Sequence, residues 1–232
     1  MDGLGRRLVH VVVAAVYPAR CVGCQRRGVA LCGSCRAALP YLSRGGCVRC
    51  AARRAPGERC RACQRLSEAL GSVRAVCAYE GLARSAVLVL KFRSGRVLAP
   101  VLGELLRSDL ERRPLRADLV VPVPLGRGRL RERGYNQASL LAEQVVAAVG
   151  GVLATDILAR EDRPPQQTLQ RAERLVNLRG AIRCARPTAV AGRRVLLVDD
   201  VMTTGSTLSA CADVLAEAGA VRISGLVFAR DL

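Results

Sequence analysis

The chain from residue 69 onward alternates short apolar runs with longer amphipathic segments. The pattern predicts strands at 72–78, 119–125, 152–158 and up to residue 198, and helices at 82–92, 97–110, 138–149 and from 208. The run of Val and Leu at 195–198 is typical of a parallel strand that is buried on both faces. Strands that alternate with helices predict an α/β fold, with a parallel sheet covered by helices on both faces.

Two carboxylates, Asp199 and Asp200, directly follow the last of these predicted strands. Sheets of this class bind ligands outside the carboxyl ends of their strands, and helix amino termini favour phosphate. The candidate residues of the following turn are Thr203, Thr204, Gly205, Ser206 and Thr207. The pattern predicts a sugar-phosphate site, with the carboxylates on ribose hydroxyls and the turn around a phosphate. The alternative is an ordinary strand, turn and helix with a Ser/Thr cap.

A second group of candidate residues is cationic. The strand at 119–125 ends in prolines, and we expect the arginine-rich segment after it to be a loop that shares the same crevice. Arg131 and Arg133 in that loop are the candidates for a pyrophosphate group, and Lys91 is a further candidate for phosphate binding. The polar segment 160–179 is predicted to be a long loop that closes over substrate.

Eight cysteines near the start of the chain form four Cys-x-x-Cys pairs. They are Cys21/Cys24, Cys32/Cys35, Cys47/Cys50 and Cys60/Cys63. A two-residue spacer lets both sulfurs face one ion, so the spacing predicts two structural Zn²⁺ sites. Short intervening loops favour sequential pairing, although interleaved pairing and disulfides are the alternatives. Two roles fit such an arginine-decorated module: a contact surface for nucleic acid or protein, and a structural cap over the active-site mouth.

These features divide the chain into residues 1–68, with an amino-terminal helix and the cysteine-rich module, and residues 69–232, with the α/β domain. The apolar run 8–17 is too short to cross a bilayer. We interpret it as a helix that packs on the module, and a signal-peptide core is the alternative. We expect no membrane span and a cytoplasmic protein.

The formal charge of +18 favours an anionic partner or substrate. Because each zinc tetrathiolate counts −2, two such sites would lower this charge to +14. Only 3% of the residues are aromatic, so single-stranded nucleic acid would be held mainly through its phosphates. Compositional bias is the alternative, because Lys91 is the only lysine among so many arginines.

The segment from Asp199 to Thr207 resembles the phosphoribosyl pyrophosphate (PRPP) motif of type I phosphoribosyltransferases. Several blocks together resemble the ComF family of competence-associated proteins. They are Tyr79-x-Gly81-x-x-Arg84 with Lys91-Phe92, Pro122-Val123-Pro124-Leu125 with Arg131-x-Arg133-Gly134-Tyr135-Asn136-Gln137, Gln167-x-Leu169 with Arg174-x-x-Asn177, and the PRPP-like motif. The resemblance covers nearly the whole chain, including a double zinc ribbon in front.

This resemblance implies a type I phosphoribosyltransferase-like fold and a role in DNA uptake during natural transformation. It implies PRPP or ribose 5-phosphate as ligand, with Mg²⁺, and it leaves phosphoribosyl transfer open. Asp199 and Asp200 would be the catalytic residues. The expected partners are single-stranded DNA and a competence helicase or another DNA-processing protein. Thr203 stands where similar purine transferases carry an aspartate, which argues against a purine acceptor.

Overall fold

The computed structural model describes residues 19–42, 46–47, 49–52, 60–161 and 180–231. The strands are β1 (Ser72–Ala78), β2 (Leu119–Pro122), β3 (Val152–Leu153), β4 (Leu158–Arg160), β5 (Ile182–Cys184), β6 (Arg194–Met202) and β7 (Arg222–Arg230). The α-helices are α1 (Gly33–Ala37), α2 (Gly81–Leu90), α3 (Ala99–Arg112), α4 (Arg127–Arg133), α5 (Gln137–Val149), α6 (Pro187–Val190) and α7 (Ser206–Glu217). Two 3-10 helices lie at Arg61–Arg65 and Arg93–Leu98.

Five strands form one parallel sheet in the order β1-β7-β6-β2-β3. β6 lies at the centre, and its residues Val195 to Val198 are at most 2% exposed. The continuous apolar run of this strand is required because both of its faces are covered. The parallel sheet and its helices confirm the predicted fold class, and the sheet brings the carboxyl ends of β6 and β2 to one edge.

Alternate residues of β6 pack into two different apolar layers. Leu196 and Val198 face the layer formed with α2, α3 and α5. Val195 and Leu197 face the layer formed with α6 and α7. This period of two is what an extended strand imposes.

The cysteine-rich segments contribute to both layers. The segment with Cys21 and Cys32 packs into the α2 and α3 layer, and the segment with Cys47 and Cys50 packs into the α7 layer. Residue Tyr41 between them makes an antiparallel bridge with Cys77, so part of the β1 edge is covered. The module is therefore packed against the edge and both faces of the α/β domain.

Two sequence predictions are wrong in detail. The arginine-rich segment expected as a loop forms α4, because Arg, Leu and Glu favour helix and Gly134, at φ 75°, ends it in the left-handed conformation. The single strand expected at 152–158 is two short strands, β3 in the main sheet and β4 in an antiparallel pair with β5. A turn around Asp156 separates them, as the turn preference of aspartate allows.

Two other predicted segments, 8–17 and most of 160–179, lie outside the described residues. Among the residues that are described, we find no helix with the length and apolar character that a bilayer crossing needs.

Candidate functional site

The two aspartates lie within β6, because the strand continues to Met202 beyond the predicted end. Asp200 is 3% exposed, and its Oδ2 lies 3.4 Å from Nζ of Lys91. Asp199 accepts a 2.8 Å hydrogen bond from the backbone N–H of Asp200. Lys91, which follows α2, is thus brought to the carboxylates although it is 108 positions before Asp199 in the sequence.

The two carboxylates could accept hydrogen bonds from a ligand or bind a cation. Oδ2 of Asp200 is buried and accepts no hydrogen bond from the described residues. Such an oxygen is costly unless a ligand donates to it. Burial raises the pKa of the Asp199 carboxyl well above its usual range, and the neighbouring charge of Asp200 adds to this effect. A ligand with hydroxyl donors or a cation would relieve both conditions.

Replacing Asp199 with asparagine is therefore expected to stabilise the ligand-free protein at pH 7. A carboxyl whose pKa is raised by folding binds its proton more tightly in the folded state, so stability falls as the pH rises from about 4 through the raised value. The variant loses this penalty and should therefore be more stable than the wild type at pH 7. The gain should vanish near pH 4.

Urea denaturation of both proteins at each pH measures this difference. Asp156→Asn is the matched control, because a hydrogen bond from Arg186 lowers the pKa of Asp156. That variant should gain no stability at pH 7. An Asp199→Asn protein less stable than wild type at pH 7 would contradict the assigned electrostatics.

The turn after β6 is shaped by Gly205. This residue has φ 81°, and a Cβ there would lie 2.4 Å from Cδ2 of Leu66 and 2.6 Å from Cε of Met202. Glycine is needed both for the left-handed conformation and for the space. The hydroxyls of Thr204 and Ser206 lie 2.6 Å apart, and Thr203 and Thr204 are exposed. Hydroxyl groups and the first amides of α7 therefore lie close together in this turn, an arrangement that suits a phosphate.

A second turn, at Gly134 and Tyr135, holds the segment that carries Lys91. The buried Tyr135 hydroxyl is in hydrogen-bonding contact with the carbonyl oxygens of Leu90 and Phe92, on either side of Lys91. Arg96 donates to the Gly134 carbonyl and lies 4.7 Å from the centre of the Tyr135 ring. Tyr135 belongs to one of the motifs that resemble the ComF family, but nothing in the sequence pattern indicated this anchoring role.

The two candidate pyrophosphate arginines lie in the last turn of α4, next to this anchored turn. Arg133 donates a 3.1 Å hydrogen bond to Oε1 of Gln137, and Arg131 is exposed. In the described part of the chain, neither arginine makes a hydrogen bond or ion pair with Asp199 or Asp200. Their assignment to pyrophosphate stays a prediction.

The eight paired cysteines form two separate clusters in sequential order. Within each cluster, the first four and the last four, all sulfurs lie within 4.8 Å of one another. The closest pairs are 3.3 to 3.6 Å apart, well beyond the disulfide length of about 2.05 Å, and all eleven cysteines are free. Four sulfurs at such spacing fit a tetrahedral zinc ion with Zn–S distances of about 2.3 Å.

Hydrogen bonds from backbone amides favour the thiolate form of one cysteine in each cluster. Burial opposes ionisation of Cys21, but hydrogen bonds from the backbone of Cys24, Cys32 and Gly23 lower its pKa to about 6. Cys47 behaves alike: burial opposes ionisation, while the Cys63 thiol and backbone amides lower its pKa to about 6. Thiolate is the form that binds zinc, so each cluster holds a ready first ligand.

Arg230 at the end of β7 connects the second cluster to the α/β domain. The residue is 4% exposed, and its Nε and one terminal nitrogen have no hydrogen-bond partner among the described residues. Burial raises the pKa of the Cys50 thiol, and the positive charge of Arg230 acts in the opposite direction. A zinc tetrathiolate carries a charge of −2, so Arg230 is placed to offset it. Nothing in the sequence pattern marked this residue.

Purified protein is expected to contain two zinc ions per chain, because the two clusters each supply four thiolates. Inductively coupled plasma mass spectrometry of protein prepared without added metal measures this content. A Cys24→Ser variant should retain one zinc, and a Cys77→Ser variant, which changes a cysteine outside the clusters, should retain two. Zinc-free protein with eight accessible thiols would contradict the assignment.

Comparisons with known proteins agree with the fold and with the two cysteine clusters. Residues 131–231 match the family model described as phosphoribosyl transferase domain, and residues 12–64 match the double zinc ribbon domain. The chain is 30% identical over 220 residues to DNA utilization protein YhgH of Salmonella typhimurium, covering 91% of this chain and 89% of that protein. It is 29% identical over 209 residues to competence protein ComFC of Bacillus subtilis, covering 87% and 84%.

One solved structure, described as the allosteric regulatory enzyme of purine biosynthesis, is 20% identical with a TM-score of 0.40. The match covers 58% of this chain and only 26% of that enzyme.

Fold and cysteine clusters together define a phosphoribosyltransferase-like domain that carries a double zinc ribbon. The chain belongs to the ComF family, as the likeness to YhgH over nearly the full length of both proteins shows.

Proposed function

We propose that this protein binds PRPP or a related ribose phosphate at the carboxyl end of β6 and acts on DNA taken up during natural transformation. The observation that carries the ligand is the buried Oδ2 of Asp200, which lies beside a turn rich in hydroxyls and amides. This oxygen accepts no hydrogen bond from the described residues, although Nζ of Lys91 forms an ion pair with it at 3.4 Å. The role in DNA handling rests on the names of its relatives, a competence protein and a DNA utilization protein. We place this activity in the cytoplasm.

In this proposal, Asp199 and Asp200 accept hydrogen bonds from the ribose hydroxyls, and the turn from Thr203 to Thr207 holds the 5-phosphate. Lys91, Arg131 and Arg133 neutralise the pyrophosphate. If transfer occurs, the carboxylates also stabilise the positive charge that develops on the ribose as pyrophosphate leaves. Lys91 must then exchange part of its contact with Asp200 for the incoming phosphate.

Mg²⁺ would enter with the ligand. The only groups of three or more metal-binding side chains within the described residues are the two cysteine clusters, so a magnesium ion would rely on phosphate oxygens for most of its ligands. Asp199 and Asp200 are the residues that would face such an ion, and its charge would favour the ionised form of Asp199.

The alternative is a protein that binds single-stranded DNA without catalysis and uses the pocket as a PRPP or nucleotide sensor. Release of pyrophosphate separates the two. PRPP and Mg²⁺ are incubated with the protein, with and without single-stranded DNA, and pyrophosphate is measured by a coupled enzymatic assay. Release that depends on the protein supports transfer. Binding by calorimetry without release supports the sensor, and no heat with PRPP or ribose 5-phosphate would refute the proposed ligand.

Single-stranded DNA is expected to bind mostly through its phosphates, because the chain has a charge of +18 and few aromatic residues. Affinity for a mixed-sequence oligonucleotide should fall steeply with salt, with a slope equal to several released counterions and little sequence preference. Fluorescence anisotropy at four or more salt concentrations gives that slope. A flat salt dependence would contradict the electrostatic interpretation.

If the zinc module carries this DNA surface, replacing its arginines should reduce the slope. Arg53 and Arg54, the first choice from the sequence, lie outside the described residues, whereas Arg26 and Arg27 are described and exposed. Changing both to glutamine should reduce the slope by about 1 to 2. The control pair is Arg193 and Arg222, which are exposed at the amino-terminal ends of β6 and β7, away from the proposed site. Replacing both with glutamine gives the same change in charge. Equal effects of both pairs would refute a surface on the module and leave the α4 arginines as the candidate.

A further inference from the structure

A cavity of about 630 Å³ lies between the cysteine-rich module and the α/β domain, away from Asp200. Its walls are residues 72–76 of β1, the end of α3, and six module residues: Arg36, Tyr41, Leu42, Gly46, Cys47 and Ala51. Small-molecule sites in proteins have volumes of about 300–1,000 Å³ and often lie at domain boundaries. The position and the size therefore fit a binding site, which is separate from the ribose-phosphate site.

The cavity has an excess of positive charge. Four arginines line it, Arg36, Arg74, Arg112 and Arg113, together with a single acidic residue, Asp109. Arg36 makes a 2.9 Å ion pair with Glu104, and both Arg74 and Arg113 share Asp109. Arg112 is exposed and has no ion-pair partner in the part of the chain that the structure describes. The four guanidinium groups therefore have only two carboxylates, those of Glu104 and Asp109, as ion-pair partners among the described residues.

Arg74 shows the consequence of this imbalance. Its side chain is only 20% exposed, and its ion-pair distance to Oδ2 of Asp109 is long, at 3.9 Å. Burial lowers the pKa of Arg74, and the charge of Arg113 lowers it further. The same Oδ2 of Asp109 accepts no hydrogen bond from the described residues. Nη1 of Arg74 donates a hydrogen bond to the Arg113 carbonyl. A partly buried cation crowded by another cation is stabilised further by a bound anion.

An aromatic ring lies beside these arginines. Tyr41 lines the cavity, its hydroxyl donates a 3.0 Å hydrogen bond to the Arg36 carbonyl, and the residue is 41% exposed. An anchored, partly exposed aromatic ring can stack against a base, and guanidinium groups bind phosphate. We propose that this cavity binds a nucleotide, with its phosphate on Arg74, Arg112 and Arg113 and its base against Tyr41. The nucleotide is either free or one unit of a DNA strand.

The test uses the full-length protein, deoxyadenosine monophosphate as probe, and excess ribose 5-phosphate to occupy the other proposed site. Arg112→Glu should weaken binding of the probe about tenfold in calorimetry, because a charged hydrogen bond is lost and repulsion is added. Arg107→Glu is the matched control on the same helix, since Arg107 pairs with Glu111 and does not line the cavity. Tyr41→Ala should weaken the nucleotide but not inorganic phosphate.

No binding of the probe by the wild type, or equal losses in Arg112→Glu and Arg107→Glu, would overturn the proposal. A short labelled oligodeoxynucleotide then identifies the source of the nucleotide. If Arg112→Glu weakens the oligonucleotide by the same factor as the mononucleotide, the cavity holds a unit of a strand. If only the mononucleotide is affected, the occupant is a free nucleotide. These outcomes do not depend on whether PRPP binds at Asp200.

Discussion

Asp200→Asn is expected to weaken PRPP binding about 100-fold while the protein stays folded. A carboxylate accepts two charge-assisted hydrogen bonds from ribose hydroxyls, each worth about 1.5–3 kcal/mol, and an amide retains only one acceptor oxygen. Oδ2 of Asp200, which accepts no hydrogen bond from the described residues, would be the atom that the ribose hydroxyl donates to. Calorimetry with PRPP and Mg²⁺ measures the affinity, and circular dichroism verifies the fold.

The control is Asp231→Asn. Asp231 is exposed and follows β7 directly, and its backbone N–H donates to the Met202 carbonyl at the end of β6. Among the described residues, the ion pair of Lys91 is with Asp200 and not with Asp231. Its substitution removes the same charge and should change the affinity less than about twofold. An Asp200→Asn protein that binds PRPP like the wild type would show that this carboxylate does not contact the ligand.

Sequence patterns predicted the sheet because strand periodicity is local. The Val and Leu run of β6 and the alternation of strands with helices each report burial within a few neighbouring residues. The sequence also predicted the cysteine pairs, since a two-residue spacer lets both sulfurs of a pair face one ion. The structure then showed which pairs share a cluster, in the sequential order that the short loops favoured. The sequence predictions were wrong at α4, which was expected to be a loop, and at β3 and β4, which were expected to be one strand. At such positions the local backbone preference and the pairing with distant strands compete.

Contacts between distant segments could not be predicted from the pattern. The pairing of Lys91 with Asp200 depends on how α2 packs on the sheet, and the anchoring of Lys91 by Tyr135 depends on a second turn. Arg230 gave no signal, because an arginine at the end of a strand is ordinary until its burial beside Cys50 is known. Such residues are found only when the whole packing is known.

One of these distant contacts joins the second cysteine cluster to the phosphate turn. The 3-10 helix that contains Cys63 leads into Leu66, whose side chain packs where a Cβ on Gly205 would lie. The next residue, Ser67, donates its backbone N–H to Oγ of Ser209 and its hydroxyl to Asp213, both in α7. The linker after the zinc ligands therefore lies against the turn and against α7 from Ser209 to Asp213.

Cys47→Ser is expected to reduce the zinc content from two to one and to unfold the segment around the second cluster. The metal supplies most of the folding free energy of so small a module, with apparent values of about 10–16 kcal/mol for structural zinc. Because Leu66 and Ser67 would lose their support, the turn at Gly205 should loosen and PRPP affinity should fall about tenfold. Metal analysis, limited proteolysis and calorimetry measure these three effects.

Cys32→Ser is the matched control, because Cys32 belongs to the first cluster, which packs in the α2 and α3 layer on the other face of the sheet. This variant should also lose one zinc. Its PRPP affinity should stay within about twofold of the wild type, since Leu66, which packs against the turn at Gly205, follows the second cluster and not the first. Equal losses of affinity in both variants would indicate general destabilisation. Unchanged affinity in both would show that the contact between Leu66 and Gly205 does not support the turn, and that the zinc module and the ribose-phosphate site work independently.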